Sequence, residues 1–411
     1  MRNLFIIGTL LSLVFALGSY SASDRKNSNS FDSDFAEVTL AKEVVAGVER
    51  MEEVLKVLEG KRVGLVINPS SMVGERHLLD TLIDLGVAVH KIFALEHGFR
   101  GDADAGELIK DSRDVATGLP VVSLYGQNRK PQKEDLKALD LILFDIQDVG
   151  VRFYTYISSL HYIMEAAAEN GVKVVVTDRP NPNGFYVDGP VLEEGFKSFV
   201  GMHPVPVIHG MTIGEYALMI RGEQWIEFSE DLQLEVIPCL NYDHSMTYDL
   251  PVRPSPNLPN LKSVLLYPSL CFFEGTEISV GRGTHLQFQL IGSPYLTEGD
   301  TVFIPHSLPG ATQPPFLGQK CTGYSFSNYH WKDFASARKL DLSILLMIYN
   351  QFPEGQSFFL KNNFFDRLAG TDRLRKQIIA GWDEETIRAE WQSDLQKFQE
   401  IRSKYVLYDD F

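Results

Sequence analysis

The sequence predicts a doubly wound α/β domain with a parallel sheet, followed by a smaller α+β domain. Between residues 62 and 177, short apolar runs alternate with helical patterns. These runs are nearly continuous in Val, Ile and Leu, which is typical of strands covered on both faces of a parallel sheet. From about Gly195 the chain is richer in Pro and aromatic residues and the alternation stops. We therefore expect an α/β catalytic domain over residues 44–195 and an α+β domain over residues 196–411.

The elements of the first half follow from apolar spacing and from the residues that interrupt it. A first helix is predicted over residues 44–60, because apolar residues recur at helical spacing and Gly60 can end the helix. The predicted strands are residues 62–68, 87–95, 119–125, 141–146 and 172–177. Further helices are predicted at residues 76–85, 133–139 and 156–170.

The second half has a less regular pattern. A helix is predicted over residues 211–221, with Thr212 as its cap and Glu215 three residues on, as in a capping box. Strands are predicted at residues 234–238, 264–267 and 285–291. Helices are expected at residues 335–349 and 372–405, with a break near Gly381.

The charge balance limits the kind of partner. The chain has 38 basic and 54 acidic residues, a net charge of −16, and no run of Lys or Arg. The charge balance argues against a nucleic-acid partner, since binding a phosphate backbone requires a basic face. An anionic ligand would have to be bound by a few local arginines.

The N-terminus predicts export. Arg2 precedes an apolar run over residues 4–17, and the small residues Ser19, Ser21 and Ala22 follow. The run is too short to span a membrane, so residues 1–22 are interpreted as a signal peptide and residues 23–43 as a disordered leader. We expect a periplasmic or secreted protein with no membrane span in the mature chain. The sequence leaves the oligomeric state open.

The cysteines do not form a recognisable framework. Cys239, Cys271 and Cys321 lie in no CxxC or zinc spacing. One bridge is possible, but buried structural thiols are the expectation.

Polar residues gather where the predicted parallel strands end. Ligands of open parallel sheets bind outside the carboxyl ends of the strands, so these residues predict a site. The candidates in the first half are Asn68, Glu96, His97, Arg100, Asp148, Arg152, Tyr154, Asp178, Arg179 and Asn181. Two loops of the second half add Asn257, Glu274, Glu277 and Arg282, the last three among glycines that allow close approach of the backbone to a ligand.

Several enzyme classes lack their motifs. The first strand leads into NPSSMVG rather than GxGxxG, and no GxxxxGK[ST] occurs, which disfavours a nucleotide-dependent enzyme. No GxSxG elbow indicates a serine hydrolase, and the scattered His residues do not indicate a zinc enzyme. We expect no cofactor and no metal.

A family resemblance rests on seven segments that occur in order along the chain. They are ALEHGFRGDADAG (94–106), TGLPVVSLYG (117–126), FDIQDVGVRFYTYI (144–157), TDRPNPNG (177–184), HGMTIGEYA (209–217), PSPNLP (254–259) and FEGTEISVGRGT (273–284). With these segments the chain, from about residue 44 onward, resembles the exo-β-N-acetylmuramidases of glycoside hydrolase family 171. Leu95 and Gln287 stand where the family pattern often has Pro, which leaves the loop shape there open.

The resemblance implies both an architecture and a reaction. It implies a Rossmann-like N-terminal domain, a smaller C-terminal domain and an active cleft between them. It also implies hydrolysis of the terminal non-reducing N-acetylmuramic acid from peptidoglycan fragments, in cell-wall turnover. The expected partner is thus a small saccharide or muropeptide. The alternative is a non-catalytic periplasmic binding protein for muropeptides or sugars.

Glycosidic cleavage usually needs two carboxylic groups, one as general acid and one as base or nucleophile. Glu96 is the first choice as the acid, because it ends a buried strand and the resemblance points to it. Its partner is left open among Glu274, Glu277, Asp148 and Asp178, and the acetamido oxygen of the substrate is a further possible nucleophile.

We expect an arginine to bind the lactyl carboxylate of N-acetylmuramic acid, since a guanidinium group binds carboxylates through two parallel hydrogen bonds. The candidates are Arg100, Arg152, Arg179 and Arg282, although Arg179 could instead pair with Asp145 or Asp178. The remaining candidates for substrate contact are Asn68, His97, Tyr154, Asn181 and Asn257, and His97 could alternatively orient Glu96.

Overall fold

The structure is a computed structural model that describes residues 43–96, 98–100 and 112–411. The expected signal peptide, the leader up to residue 42, and His97 lie outside the described residues. The strands are β1 Val63–Ile67, β2 Met72–Val73, β3 Arg76–His77, β4 Val89–Ala94, β5 Ser112–Arg113, β6 Pro120–Ser123, β7 Leu141–Asp145, β8 Lys173–Thr177, β9 Leu234–Ile237, β10 Leu290–Ser293, β11 Thr301–Phe303 and β12 Cys321–Ser325.

The helices connect and cover these strands. They are α1 Met51–Leu58, α2 Leu78–Asp84, α3 Lys133–Leu136, α4 Tyr156–Asn170, α5 Ile213–Gly222, α6 Leu261–Leu270, α7 Trp331–Ala337, α8 Ser343–Gln351, α9 Phe364–Ala369, α10 Arg373–Ile379 and α11 Glu384–Arg402. Three short 3₁₀ turns are added at Gly47–Glu49, Glu194–Phe196 and Cys271–Gly275.

The central sheet confirms the predicted fold class. Its strand order is β5-β6-β4-β1-β7-β8-β9, and all neighbours are parallel except β5 and β6. Counted along the chain, the parallel strands lie in the order 3-2-1-4-5-6, which is the doubly wound Rossmann arrangement. Its topological switch point lies between β1 and β7, the two strands of this sheet whose residues are all buried.

One strand of this sheet comes from beyond position 195. Residues 234–237 form β9, which pairs with β8 in the register Val176↔Val236. Glu43–Phe411 is one compact unit. The division at 195/196 stays a prediction.

The sheet is buried on both faces, as the continuous apolar runs require. Alternate residues of β7 contact different sides, since Phe144 belongs to the larger hydrophobic cluster and Leu143 to the smaller one. Helix α4 covers the larger cluster and ends at Gly171, whose φ of 66° is the left-handed cap conformation that favours glycine.

Two predicted elements of the second half had contrasting outcomes. The capping box of α5 is confirmed: Thr212 N donates to Glu215 Oε2 at 2.9 Å. The strand predicted at residues 264–267 is wrong, because these residues lie inside α6. Asn260 begins that helix by accepting from Ser263 N at 3.0 Å, and every residue from 263 to 270 is buried. A helix buried all round has no polar face, so its sequence shows no helical period.

The rest of the second half forms a small antiparallel sheet in the order β10-β12-β11, with helices α7 to α11 around it. The three cysteines are free and buried, as predicted. In the described part of the chain, no helix combines the length and apolar character needed to cross a membrane.

Candidate active site

A pocket of about 280 Å³ opens beside the carboxyl ends of β4 and β7. It is lined by Glu96, Phe153, Tyr154, Thr155, Tyr156, Ser255, Asn257, Leu258, Tyr267, Glu274, Arg282 and Phe288. Five of the sequence-predicted residues therefore meet here, and they come from both halves of the chain.

Glu96 is positioned by the ends of three parallel strands. It follows β4 after the buried Leu95. Its Oε1 accepts from the hydroxyl of Tyr125, which follows β6, at 3.3 Å. Its Oε2 accepts from Thr155, at the start of α4, at 3.5 Å. Both distances are longer than the usual range of about 2.5–3.0 Å for O–H···O hydrogen bonds, so neither bond is strong.

Glu274 has a different environment. It lies in the 3₁₀ turn that continues α6, and its Oε1 accepts from Arg282 Nε at 2.5 Å. Its Oε2 lies 3.7 Å from Cys271 Sγ. Burial alone would lower the pKa of Arg282, but the charge and hydrogen bond of Glu274 raise it above its ordinary value. This pair is therefore an ion pair with a charge-assisted hydrogen bond.

The loop that carries Arg282 is held by the small antiparallel sheet. Ser279 N donates to Gly292 O at 2.7 Å and Phe288 N to Val280 O at 2.8 Å. Gly281 turns the backbone with a φ of 77°, and a Cβ there would lie 2.8 Å from Leu286 O. The turn thus needs glycine, as the glycines of this segment suggested.

An aromatic wall encloses the two carboxylates. Neighbouring rings meet edge to face: Tyr154 and Tyr156 at 5.1 Å, Phe153 and Tyr267 at 5.3 Å, and Tyr267 and Phe288 at 4.9 Å between centroids. Burial raises the pKa of Tyr154, and the charges of nearby carboxylates add to it, so its phenol stays neutral. Apolar ring faces with polar tips suit the faces and hydroxyls of a sugar.

Asn257 completes the rim of the pocket. Its Nδ2 donates to Gly310 O at 2.8 Å, which fixes the orientation of the amide. Its Oδ1 is buried and has no hydrogen-bond partner within the described residues.

Asp148 does not line this pocket. It is 3% exposed, and its Oδ2 accepts from Gly150 N at 2.7 Å. Burial raises its pKa to about 7. His209 Nε2 lies 3.9 Å from Oδ2, and burial lowers the pKa of that histidine to about 3, so both groups are neutral in the folded core near pH 6.

Two of the candidate arginines are hydrogen-bonded inside the protein, away from the pocket. Arg152 donates to the carbonyls of Pro190, Val205 and Leu368 at 2.7 to 2.9 Å. Arg179 forms a two-pronged pair with Asp145, with both distances 2.8 Å. Neither is among the residues that line the pocket.

Arg100 pairs with Asp114 at 3.0 Å and with Asp80 at 3.3 Å. Arg282 is thus the one candidate arginine among the described lining residues. Its terminal guanidinium nitrogens have no hydrogen bond within the residues that the structure describes.

The other candidates lie elsewhere. Asp178 accepts from Tyr408 Oη, Thr212 Oγ1 and Gly214 N, and burial, followed by the charge of Glu215, raises its pKa to about 6. Asn181 donates to Met211 O and Asn68 accepts from Ser70 N, both inside the core. Glu277 is half-buried and is not among the lining residues.

Sequence reasoning missed Tyr125, Thr155, Tyr267, Cys271 and Phe288. Tyr267, Cys271 and Glu274 are spaced four and three residues apart. That spacing signals one helix face, but it was hidden by the strand expected at residues 264–267.

A pocket with two carboxylates, a guanidinium group and an aromatic wall, at the ligand-binding edge of a Rossmann-like sheet, defines a candidate glycoside hydrolase site. Within residues 43–96, 98–100 and 112–411, no group of three or more His, Cys, Asp or Glu side chains could hold a metal ion.

The comparisons with known proteins agree with this class. Residues 63–262 match the N-terminal family model of the exo-β-N-acetylmuramidase NamZ, and residues 265–408 match its C-terminal family model. The chain belongs to the NamZ exo-β-N-acetylmuramidase family.

Relatives resemble the chain over most of its length. The peptidoglycan β-N-acetylmuramidase NamZ of Bacillus subtilis is 41% identical over 374 residues, covering 86% of this chain and 88% of the relative. A DUF1343 family protein of Bacteroides fragilis has a crystal structure with a TM-score of 0.83 and 43% identity, covering 90% of this chain and all of its own. A second DUF1343 family protein from the same organism has a TM-score of 0.74 and 29% identity, covering 89% and 99%.

Proposed function

We propose that this protein is an exo-acting β-N-acetylmuramidase, which hydrolyses the terminal non-reducing N-acetylmuramic acid from peptidoglycan fragments. The observation that carries the proposal is the pairing of Glu96 and Glu274 in one pocket with unlike partners. The name of the Bacillus subtilis relative supports the substrate class.

The unlike partners assign different roles to the two carboxyl groups. Glu274 is held by a guanidinium group, which stabilises its negative charge. We assign it to the carboxylate role, either on the anomeric carbon, on a water molecule, or on the acetamido group of the substrate. Among the described residues, the hydrogen-bond partners of Glu96 are the neutral hydroxyls of Tyr125 and Thr155, and no ion pair holds it. We assign it to protonate the leaving oxygen.

Arg282 is the residue proposed to bind the lactyl carboxylate of the substrate. Its Nε is bound to Glu274, while its terminal nitrogens are available on the side chain that lines the pocket. A guanidinium group can bind two carboxylates at once, because its five N–H donors point in a planar fork. In an otherwise acidic protein, this local cation would favour N-acetylmuramic acid over N-acetylglucosamine.

The size of the pocket supports exo action. Its volume of about 280 Å³ lies near the lower end of the roughly 300–1,000 Å³ range of small-molecule pockets. A space of this size suits one terminal sugar rather than a long glycan strand.

We further propose that the protein acts outside the cytoplasm, in the periplasm or secreted, on cell-wall turnover products. The support is the basic, apolar and small-residue pattern of residues 1–22, which is typical of a signal peptide.

The test is the release of a chromogenic aglycone from β-N-acetylmuramic acid and β-N-acetylglucosamine glycosides. We expect release from the muramic substrate, and loss of at least about a hundredfold in Glu96→Gln, since positioned proton transfer typically contributes 10²–10⁴-fold. Glu59→Gln, at an exposed glutamate after α1, is the matched control and should leave the rate unchanged.

Two outcomes would contradict parts of the proposal. Equal release from both glycosides would contradict the role of Arg282 in selecting the lactyl group. No release from either, together with tight binding of intact muropeptides by calorimetry, would instead indicate a non-catalytic binding protein.

A further inference from the structure

Three polar side chains stack on one face of α6 and the turn that follows it. Tyr267 lies in the last turn of α6, and Cys271 and Glu274 lie in the 3₁₀ turn Cys271–Gly275. Residues three and four positions apart are neighbours on a helix surface. Cys271 Sγ lies 3.7 Å from Glu274 Oε2, and the phenol of Tyr267 lies beside the thiol.

The direction of the hydrogen bond between Cys271 and Glu274 follows from burial. Cys271 is 1% exposed, and burial raises the pKa of its thiol well above the usual range, with the charge of Glu274 adding to the effect. Burial also raises the pKa of Tyr267. Both groups therefore keep their protons at neutral pH. The thiol therefore donates to the carboxylate of Glu274.

We propose that Cys271 is a positioning residue for Glu274, which its thiol holds at Oε2 while Arg282 holds Oε1. This inference rests on the proposed function of Glu274. A carboxylate bound at both oxygens by fixed donors loses its freedom to rotate about its last bond. Its remaining lone pairs then point in constant directions, which is what a group acting on one atom of a bound sugar requires.

The other groups near Glu274 do not replace the thiol. Glu96, Tyr154 and Tyr156 line the same pocket, and no hydrogen bond joins them to Glu274 in the described part of the chain. Helix α9 packs against the turn, where a Cβ at Gly275 would meet Phe365 at 2.4 Å. The carboxylate of that helix, Asp366, is held by Arg375 at 2.8 Å.

The test compares variants that keep or remove the donor at this position. Cys271→Ser replaces the thiol donor with a hydroxyl donor, Cys271→Ala removes the donor and leaves space, and Cys271→Val removes the donor with a larger apolar side chain. Cys321→Ala removes another fully buried free thiol, outside the pocket lining, and is the matched control. Each is assayed for kcat, KM and the pH profile of kcat/KM on the chromogenic muramic substrate, with its melting temperature measured in parallel.

For Cys271→Ala and Cys271→Val we expect kcat to fall roughly 5- to 15-fold, the equivalent of one modest hydrogen bond. KM should stay within about twofold, since the thiol does not touch the substrate. The acidic limb of the pH profile should move to higher pH, because a carboxylate that loses a donor is protonated more readily. Cys271→Ser should recover most of the rate, and Cys321→Ala should match the wild type.

An active wild type whose kcat and pH profile are unchanged in both Cys271→Ala and Cys271→Val would overturn the inference. So would a Cys271→Ser variant that is folded but as slow as Cys271→Ala. A wild type that releases no aglycone would refute the proposed function itself. An active enzyme whose kcat does not depend on the residue at position 271 would refute only the role of Cys271.

Discussion

Asp148 gives the stability of the protein a pH dependence that one isosteric change should remove. Its carboxyl is fully buried, with one hydrogen bond from Gly150 N and an Oδ1 that has no partner among the described residues. Burial raises its pKa to about 7, against roughly 3.9 in an unfolded chain. The folded state therefore binds this proton more tightly than the unfolded state does. Asp148→Asn has the same shape and carries no charge at any pH.

The sign and size follow from linkage. Because the folded pKa lies above the unfolded one, the contribution of Asp148 to stability is fully present below about pH 4 and is lost as pH rises through 7. A difference of about three pKa units corresponds to roughly 4 kcal/mol over the whole window. Between pH 5 and pH 8 the wild type should lose about 2 to 3 kcal/mol from this group alone.

Urea unfolding at pH 5 and pH 8 measures this difference directly. From pH 5 to pH 8, the free energy of unfolding of the wild type should fall by about 2 to 3 kcal/mol more than that of Asp148→Asn. Its glycosidase activity should survive, because Asp148 does not line the pocket. Parallel pH dependence in the two proteins would refute the reasoning on burial, and loss of activity in the folded variant would restore Asp148 as a catalytic residue.

Three further predictions concern the pocket, the C-terminus and the thiols. Arg282→Met should lower kcat/KM on the muramic glycoside by about 10-fold or more, since one charge-assisted pair is worth about 1.5–3 kcal/mol. The variant should also discriminate less between the muramic and the N-acetylglucosamine glycosides, which the ratio of the two kcat/KM values measures. Tyr408→Phe should cost about 1–3 kcal/mol in urea unfolding, because it removes the donor to Asp178 and the acceptor of Cys239 N, and an unchanged midpoint would contradict this. A thiol reagent should label no cysteine of the native protein and all three after unfolding, since each is buried, and rapid labelling of the native protein would show that one is accessible.

The sheet could be predicted because its signal is local. Each strand buried on both faces is a short run composed mostly of Val, Ile and Leu, and the strands are followed by polar residues at one edge of the sheet. The cap of α5 was equally local, since Thr212 and Glu215 are three residues apart. Helix α6 was not predictable in this way, because burial on all sides removes the polar face from its sequence.

The sequence could not show which of the candidate arginines line the pocket and which are hydrogen-bonded inside the fold. Arg152 follows a strand end as a ligand-binding residue would, yet one of its partners, Leu368 O, lies 216 positions away. Arg282 pairs with Glu274 only eight positions away, which left it on the pocket side. Which strand-end residues face the ligand and which anchor the fold is decided by such distant carbonyls and carboxylates.

The most direct test of the central claim is to incubate the wild-type protein with two short peptidoglycan saccharides and to follow the products by mass spectrometry. One saccharide has N-acetylmuramic acid at its non-reducing end, and the other is capped there by N-acetylglucosamine. We predict release of free N-acetylmuramic acid from the first and no cleavage of the second. Cleavage inside either chain, or release of N-acetylglucosamine from the capped saccharide, would contradict an exo-acting enzyme that reads the lactyl carboxylate.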